Sequence, residues 1–385
     1  MLTAVSKAEK DQEMHMKINS FRPPDRILMG PGPSNVHPRV LQAMARPTIG
    51  HLDPEFIRMM DELKVLLRDT FLTKNEVTFP ISGPGSLGME AAVANMVEPG
   101  MKVAVCVNGA FGGRIREMVE RHGGTPVVVD APWGQPIDPA KLEDTLSKNK
   151  DVKVVAFVHA ETSTGARSDI AALSKVAHKY GCLTIADTVT SLGGIPVKVD
   201  DWELDVVYSG SQKCLSCPPG LSPITFNDRA VDYVKKRKTK VSSWFMDVSL
   251  ILSYWSGAKR TYHHTAPINA LYGLHEALLL VHEEGLENAW ARHEKNSRLF
   301  RAGLGNIGLK AFVSGESSLP ELVIVTVPER VNEAAVRDLL LSKFNIEIGA
   351  GLGQLAGKIW RIGLMGYTSN EKNIKLCLKA LKDAL

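Results

Sequence analysis

The sequence predicts an α/β protein: a mostly parallel sheet between helices, followed by a smaller C-terminal α/β domain. Three observations predict it. Short runs rich in Val and Ile alternate with stretches of helical apolar spacing, the pattern of successive β-α-β units. At 385 residues the chain is long enough for two or three domains. With 44% hydrophobic and 23% charged residues it can bury a core, which excludes disordered and collagen-like classes.

Residues 1–24 read as a solvated arm, because Lys7, Glu9, Lys10, Asp11 and Glu13 suit neither a signal peptide nor an acid-poor transit peptide. Residues 25–286 form the large domain. Its first long helix starts at Asp53-Pro54, a cap followed by a first-turn proline, and carries Phe56, Met60, Leu63 and Leu67 on one face. Six strands follow at 77–82, 103–108, 126–130, 152–159, 182–187 and 205–209. A helix over 112–122 ends at Gly123-Gly124, where glycine can take the left-handed conformation that stops helices. A continuous helical stretch over 266–304 leads into the small domain, 287–385. There we expect strands at 322–327, 346–348 and 358–362, a helix at 332–343 and a last helix from Asn370.

Charge and composition exclude several functions. The net charge of +4 is spread along the chain, so nucleic acid is not an expected partner. No apolar run approaches the roughly 18 residues of a membrane span. Five cysteines, Cys106, Cys182, Cys214, Cys217 and Cys377, are few and odd in number, which points to a reducing compartment and a cytoplasmic location.

Gly83-Pro84-Gly85-Ser86-Leu87-Gly88 follows a strand and opens a helix over 89–96, matching the dinucleotide fingerprint. Such a site also needs an acid at the end of the next strand to hold the ribose, and that strand ends in Asn108-Gly109. What remains is a helix N-terminus whose backbone N–H groups can cradle one phosphate. Asp187 ends one apolar strand, and Lys213 follows the next through Ser211-Gln212. This pairing suits pyridoxal phosphate: a lysine amine condenses with the aldehyde, and a carboxylate keeps the pyridine nitrogen protonated.

These residues resemble the class V, fold-type I aminotransferases, most closely their alanine–glyoxylate and serine–pyruvate branch. The resemblance runs from about Pro24 to the C-terminus through Met29-Gly30-Pro31-Gly32-Pro33-Ser34-Asn35, His159-Ala160-Glu161-Thr162-Ser163-Thr164-Gly165, Tyr208-Ser209-Gly210-Ser211-Gln212-Lys213, Tyr262-His263-His264-Thr265 and Trp360-Arg361-Ile362-Gly363. It implies the fold-type I transferase architecture with a seven-stranded sheet, pyridoxal 5′-phosphate as cofactor, small amino-acid and 2-oxo-acid substrates, and a homodimer with shared active sites. Lys213 would carry the cofactor as a Schiff base, Asp187 pair with its ring nitrogen, and Thr162 bond near the ring hydroxyl. Phe111 would stack on the ring, where relatives usually carry Trp. Gly85, Ser86 and Gln212 would hold the phosphate, with Tyr262 and Thr265 reaching in from the other subunit.

Arg361 resembles the family's carboxylate clamp, and its planar fork suits bidentate recognition. Asn35 belongs to a matching segment near the substrate. The implied reaction moves an amino group from alanine or serine to glyoxylate or pyruvate. The alternative is ureidoglycine–glyoxylate transamination, suggested by Gly50-His51-Leu52-Asp53-Pro54, with His51 and Asn269 reading the ureido group. A nicotinamide-dependent dehydrogenase is the alternative of another class, and lacks its ribose acid. No metal is expected, since the adjacent His263 and His264 should point opposite ways on extended chain. Cys214 and Cys217 form a lone CxxC beside Lys213, and no cysteine sits where a desulfurase nucleophile would, so thiol chemistry is not the main reading.

Overall fold

Seven strands form the main sheet of this computed structural model, which describes residues 19–257 and 259–385; residues 1–18 of the expected arm lie outside them. The strands, in chain order, are β1 (Ile27–Leu28), β2 (Val77–Ile81), β3 (Lys102–Val107), β4 (Thr125–Asp130), β5 (Val154–Val158), β6 (Ala160–Glu161), β7 (Ala166–Arg167), β8 (Leu183–Asp187), β9 (Val206–Tyr208), β10 (Ser222–Phe226), β11 (Leu322–Thr326), β12 (Ile346–Glu347), β13 (Gly349–Ala350) and β14 (Ile359–Gly363). The main sheet runs β2-β10-β9-β8-β5-β3-β4. Strand β10 alone is antiparallel to its neighbours, pairing with β2 on one side and β9 on the other. Its Ser222, Pro223 and Thr225 break the apolar run that marks the other strands, so it was not among the six strands expected from the sequence.

The helices are α1 (Pro38–Met44), α2 (Pro54–Phe71), α3 (Gly85–Met96), α4 (Ala110–Arg121), α5 (Pro139–Lys148), α6 (Ile170–Lys179), α7 (Asp228–Lys235), α8 (Val248–Trp255), α9 (Ile268–Glu284), α10 (Leu286–Asn306), α11 (Glu333–Phe344) and α12 (Glu371–Ala384). The Asp53 side chain accepts from Glu55 N at 2.8 Å, capping α2 as the sequence suggests. Helix α4 ends before Gly123, whose φ of 82° lies in the left-handed region. The expected continuous helix over 266–304 is two helices, because Gly285 at φ 83° turns the chain while apolar spacing continues on both sides.

Parallel register aligns Val105, Ala156, Ile185 and Val206 in the main core, which also takes Phe56, Met60, Leu63 and Leu67 of α2. A second core gathers Phe300, Val323, Trp360, Ile362 and Ile374, and takes Met29 from the start of the chain. The sheet of this second body, β11-β14-β13, is antiparallel. Strand β1 joins this body across the sequence by pairing in parallel with β12 in a separate two-stranded sheet. The carboxyl ends of β5, β8 and β9 lie side by side, the edge where open α/β sheets bind ligands.

Candidate active site

Asp187 is the last residue of β8, 3% exposed. Its Oδ1 accepts from Val189 N at 2.9 Å and its Oδ2 accepts from Tyr208 Oη at 2.9 Å. Burial pushes the carboxyl up to about 6, while these two donors pull the other way. The backbone past β9 then brings Lys213 to the same edge. Its Nζ donates to Pro31 O, and its stem folds over Gly32, where φ is 108° and a Cβ would come within 2.6 Å of the lysine Cδ. Gly32 is therefore needed both for its backbone angle and for the space the lysine occupies. Burial, helped by the nearby Arg361 charge, lowers the lysine amine to about 8.

Asp187 and Lys213 line one cavity of about 180 Å³. Gly85, Ser86, Phe111, Thr162 and Gln212 line it too, so the sequence-predicted residues around the ring and phosphate positions converge. A larger cleft, about 740 Å³ around Gln135, His159, Trp202 and Glu316, contains neither Lys213 nor Asp187. The sequence-predicted lysine and carboxylate share the smaller cavity alone.

Helix α3 opens at Gly85 with Pro84 as cap and no side-chain cap bond, which leaves its first N–H groups free for an anion. A Cβ on Gly85 would press within 3.1 Å of Val189, and one on Gly88 would run into Ser222 Oγ, so the glycines let this helix lie against β8 and β10. The Gln212 Oε1 atom is buried with no partner among the described residues. A buried amide oxygen without a partner marks a place for a ligand or water.

Glu161, fully buried, caps α4. Its Oε2 accepts from Phe111 N at 3.0 Å and Gly112 N at 3.1 Å, and its Oε1 accepts from Ser163 N at 3.1 Å. That carboxyl, raised by burial, fixes the turn that presents the Phe111 ring to the cavity. The next residue, Thr162, is also buried, and its hydroxyl makes no bond to another described residue.

The remaining expected residues fall elsewhere. Arg361, on β14, donates from Nε to Ala350 O at 2.6 Å and lies near enough to Lys213 to lower its amine. Asn35 accepts from Leu28 N at 2.9 Å and donates to Arg26 O at 2.8 Å, so its amide is engaged in holding the first strand. Asn269 donates to Met44 O and Arg46 O, each at 2.8 Å, and accepts from Thr48 Oγ1 at 2.5 Å. His51 lies 5.3 Å from the Tyr262 ring, and Tyr262 Oη is 3.5 Å from Thr265 Oγ1, all outside this chain's cavity. Tyr262 is 61% exposed.

His263 and His264 do not point apart. A bend replaces the expected extended chain and brings their Nδ1 atoms to 2.8 Å. Cys214 and Cys217 are buried free thiols, with burial pushing both up, Cys217 to about 12.

Three contributors went unassigned in the sequence. Tyr208 had no visible tie to Asp187 until strand register set the two side by side. Glu161 sat in a matching segment without a stated role. Arg114 lines the cavity with its guanidinium 5.0 Å from the centre of the Phe111 ring; three residues apart on a helix is the spacing that could have revealed it.

A lysine, a strand-end carboxylate and a helix N-terminus thus share one cavity at the edge of a mostly parallel α/β sheet, and the comparisons with known proteins define the class, a group-transfer enzyme. Residues 27–372 match the family model Aminotransferase class-V. The chain belongs to that family and is an aminotransferase. It is 40% identical to an alanine–glyoxylate aminotransferase of Rattus norvegicus over 94% of this chain and 88% of that one. It is 38% identical to an (S)-ureidoglycine–glyoxylate transaminase of Bacillus subtilis, over 94% and 91% of the two chains. The crystal structure of an alanine–glyoxylate aminotransferase from Nostoc sp. superposes with a TM-score of 0.94 at 43% identity, covering 99% of this chain and all of that one.

Proposed function

We propose that the protein moves an amino group from a small amino acid, alanine or serine, to glyoxylate or pyruvate, using pyridoxal 5′-phosphate. The observation that carries this reading is one cavity lined by an amine lowered to about 8 and a buried, two-donor carboxylate. The free α3 amides and the unpartnered Gln212 oxygen fit a phosphate, and the apolar face of Phe111 fits a ring. In this reading Gly85, Ser86 and Gln212 hold the phosphate, Phe111 the ring face, Thr162 the ring hydroxyl and Asp187 the ring nitrogen. When bound, the cofactor withdraws electrons from the substrate's α-carbon.

The chain's own groups do the rest. Lys213 would hold the cofactor through its aldehyde, and its free amine would move the substrate's α-proton, a task suited to an amine lowered to about 8. Asp187 keeps the ring nitrogen positive through its negative charge. Arg361 holds the substrate carboxylate with its fork.

The same reading gives a homodimer in which the partner subunit's Tyr262 and the partner subunit's Thr265 complete the phosphate site. Their position outside this chain's cavity supports it. It divides the chain into the arm 1–24 and the domains 25–286 and 287–385, supported by the two larger cores, although β1 and Met29 attach to the second and a third, smaller core joins Ala160 and Cys214 to Leu322, Ile324 and Ile359. A cytoplasmic location fits the five free cysteines. No described helix is long and apolar enough to cross a membrane.

Ureidoglycine as donor is the second reading, favoured by the Bacillus subtilis relative. It would use His51 and Asn269, and the engagement of the Asn269 amide favours the main reading. Steady-state assays decide between them, with alanine, serine and ureidoglycine as donors and glyoxylate, pyruvate and 2-oxoglutarate as acceptors. Alanine or serine with glyoxylate should give the highest kcat/KM. A higher value for ureidoglycine would replace the donor, and one for 2-oxoglutarate would overturn the acceptor.

A further inference from the structure

Arg114 lies one turn into α4, on the wall of the cavity. Its Nη1 is 3.4 Å from Ser86 Oγ, on the first turn of α3. Its guanidinium sits 5.0 Å from the centre of the Phe111 ring. It makes no ion pair among the described residues, whereas Arg116 and Arg121 on the same helix each face a glutamate.

Of the side chains lining the cavity, Lys213 and Arg114 are the cationic ones. We infer that Arg114 is the charge partner of the cofactor phosphate seated on the Gly85 and Ser86 amides. This rests on the cofactor reading above. A phosphate monoester brings about two negative charges. The α3 amides and Gln212 offer hydrogen bonds and partial charge only. The Lys213 amine is the group that would take up the cofactor aldehyde, so it is committed away from the phosphate end. Arg114 is then the full positive charge left on the wall, next to Ser86, and its contact with the Phe111 ring restricts the freedom a solvated arginine would otherwise lose on binding.

The test separates the phosphate from the ring. Full-length protein stripped of cofactor is titrated with pyridoxal 5′-phosphate and, separately, with pyridoxal, following absorbance in the visible. Arg114→Met should raise the Kd for pyridoxal 5′-phosphate about tenfold, since charged hydrogen bonds are among the stronger ones, and change the Kd for pyridoxal less than about twofold. Arg114→Lys, which keeps the charge, should lose less than Arg114→Met. Equal weakening of both ligands in Arg114→Met would mean that Arg114 acts through Phe111, and would overturn the assignment. So would an unchanged Kd for the phosphorylated ligand, or a Lys variant as weak as the Met variant. Wild-type protein that binds neither compound would instead refute the cofactor reading itself.

Discussion

Tyr208 Oη donates a 2.9 Å hydrogen bond to Asp187 Oδ2, and the two residues are direct partners in the parallel register of β8 and β9. Both are buried, so the phenol supplies stabilisation of the carboxylate that water cannot. Tyr208→Phe should weaken the negative charge opposite the ring nitrogen and slow single-turnover transamination of alanine about tenfold, the worth of one charged hydrogen bond. A purely structural role would leave the pH midpoint of the cofactor absorbance where it was; we expect it to move. Rates within twofold of wild type would assign Tyr208 to packing alone.

Asp187 also makes a prediction about stability in the cofactor-free protein. Burial raises its carboxyl from 3.8 to about 6, so its contribution to stability is fully present below 3.8 and is lost as pH rises through about 6. Asp187→Asn, which cannot ionise, should therefore gain on wild type by roughly 1–3 kcal/mol at pH 8 relative to pH 4. Urea midpoints at the two pH values check this, and an equal difference at both would contradict it.

An amine lowered to about 8 is mostly neutral, and thus nucleophilic, at mildly alkaline pH. The rate at which cofactor-free protein captures pyridoxal 5′-phosphate should climb with pH and level off above about 8. Stopped-flow absorbance measures it. A rate still rising at pH 10 would describe an ordinary solvated lysine. Lys213→Ala should abolish both capture and turnover, and borohydride reduction followed by peptide mapping should find the label on Lys213 in wild type.

Tyr262 and Thr265 lie outside this chain's own cavity, and the dimer reading puts them in the partner's. Mixing inactive Lys213→Ala chains with an inactive Tyr262→Ala variant should restore activity in the hybrid, because one of its two sites is intact. Hybrids demonstrated by mass, yet inactive, would count against shared sites.

The parts of this site that read directly from the sequence are those encoded by local chemistry. Asp187 and Lys213 follow apolar strands, the glycines at 83–88 sit between a strand and a helix, and Asp53-Pro54 announces a helix start. The parts that did not are set by contacts distant in sequence. Strand β10 is buried by its neighbours despite Ser222, Pro223 and Thr225, and the Tyr208 bond depends on register between strands. Gly285 breaks a helix that apolar periodicity carries through on both sides, which shows why a single left-handed glycine outweighs a favourable pattern. Asn35 and Asn269 are polar residues whose amides are engaged by backbone near and far, a commitment no motif announces.

The segment between β1 and Ser34 gives Lys213 two anchors. Met29 packs in the second core and its carbonyl accepts from Gly363 N at 2.8 Å, while Ser34 Oγ donates to Lys213 O at 2.7 Å. Pro31, between them, accepts from the amine itself. Main chain and amine of Lys213 are thus both held by one N-terminal ribbon that is itself fastened to the C-terminal body, so the lysine at the edge of the large sheet is positioned by all three stretches of the chain at once.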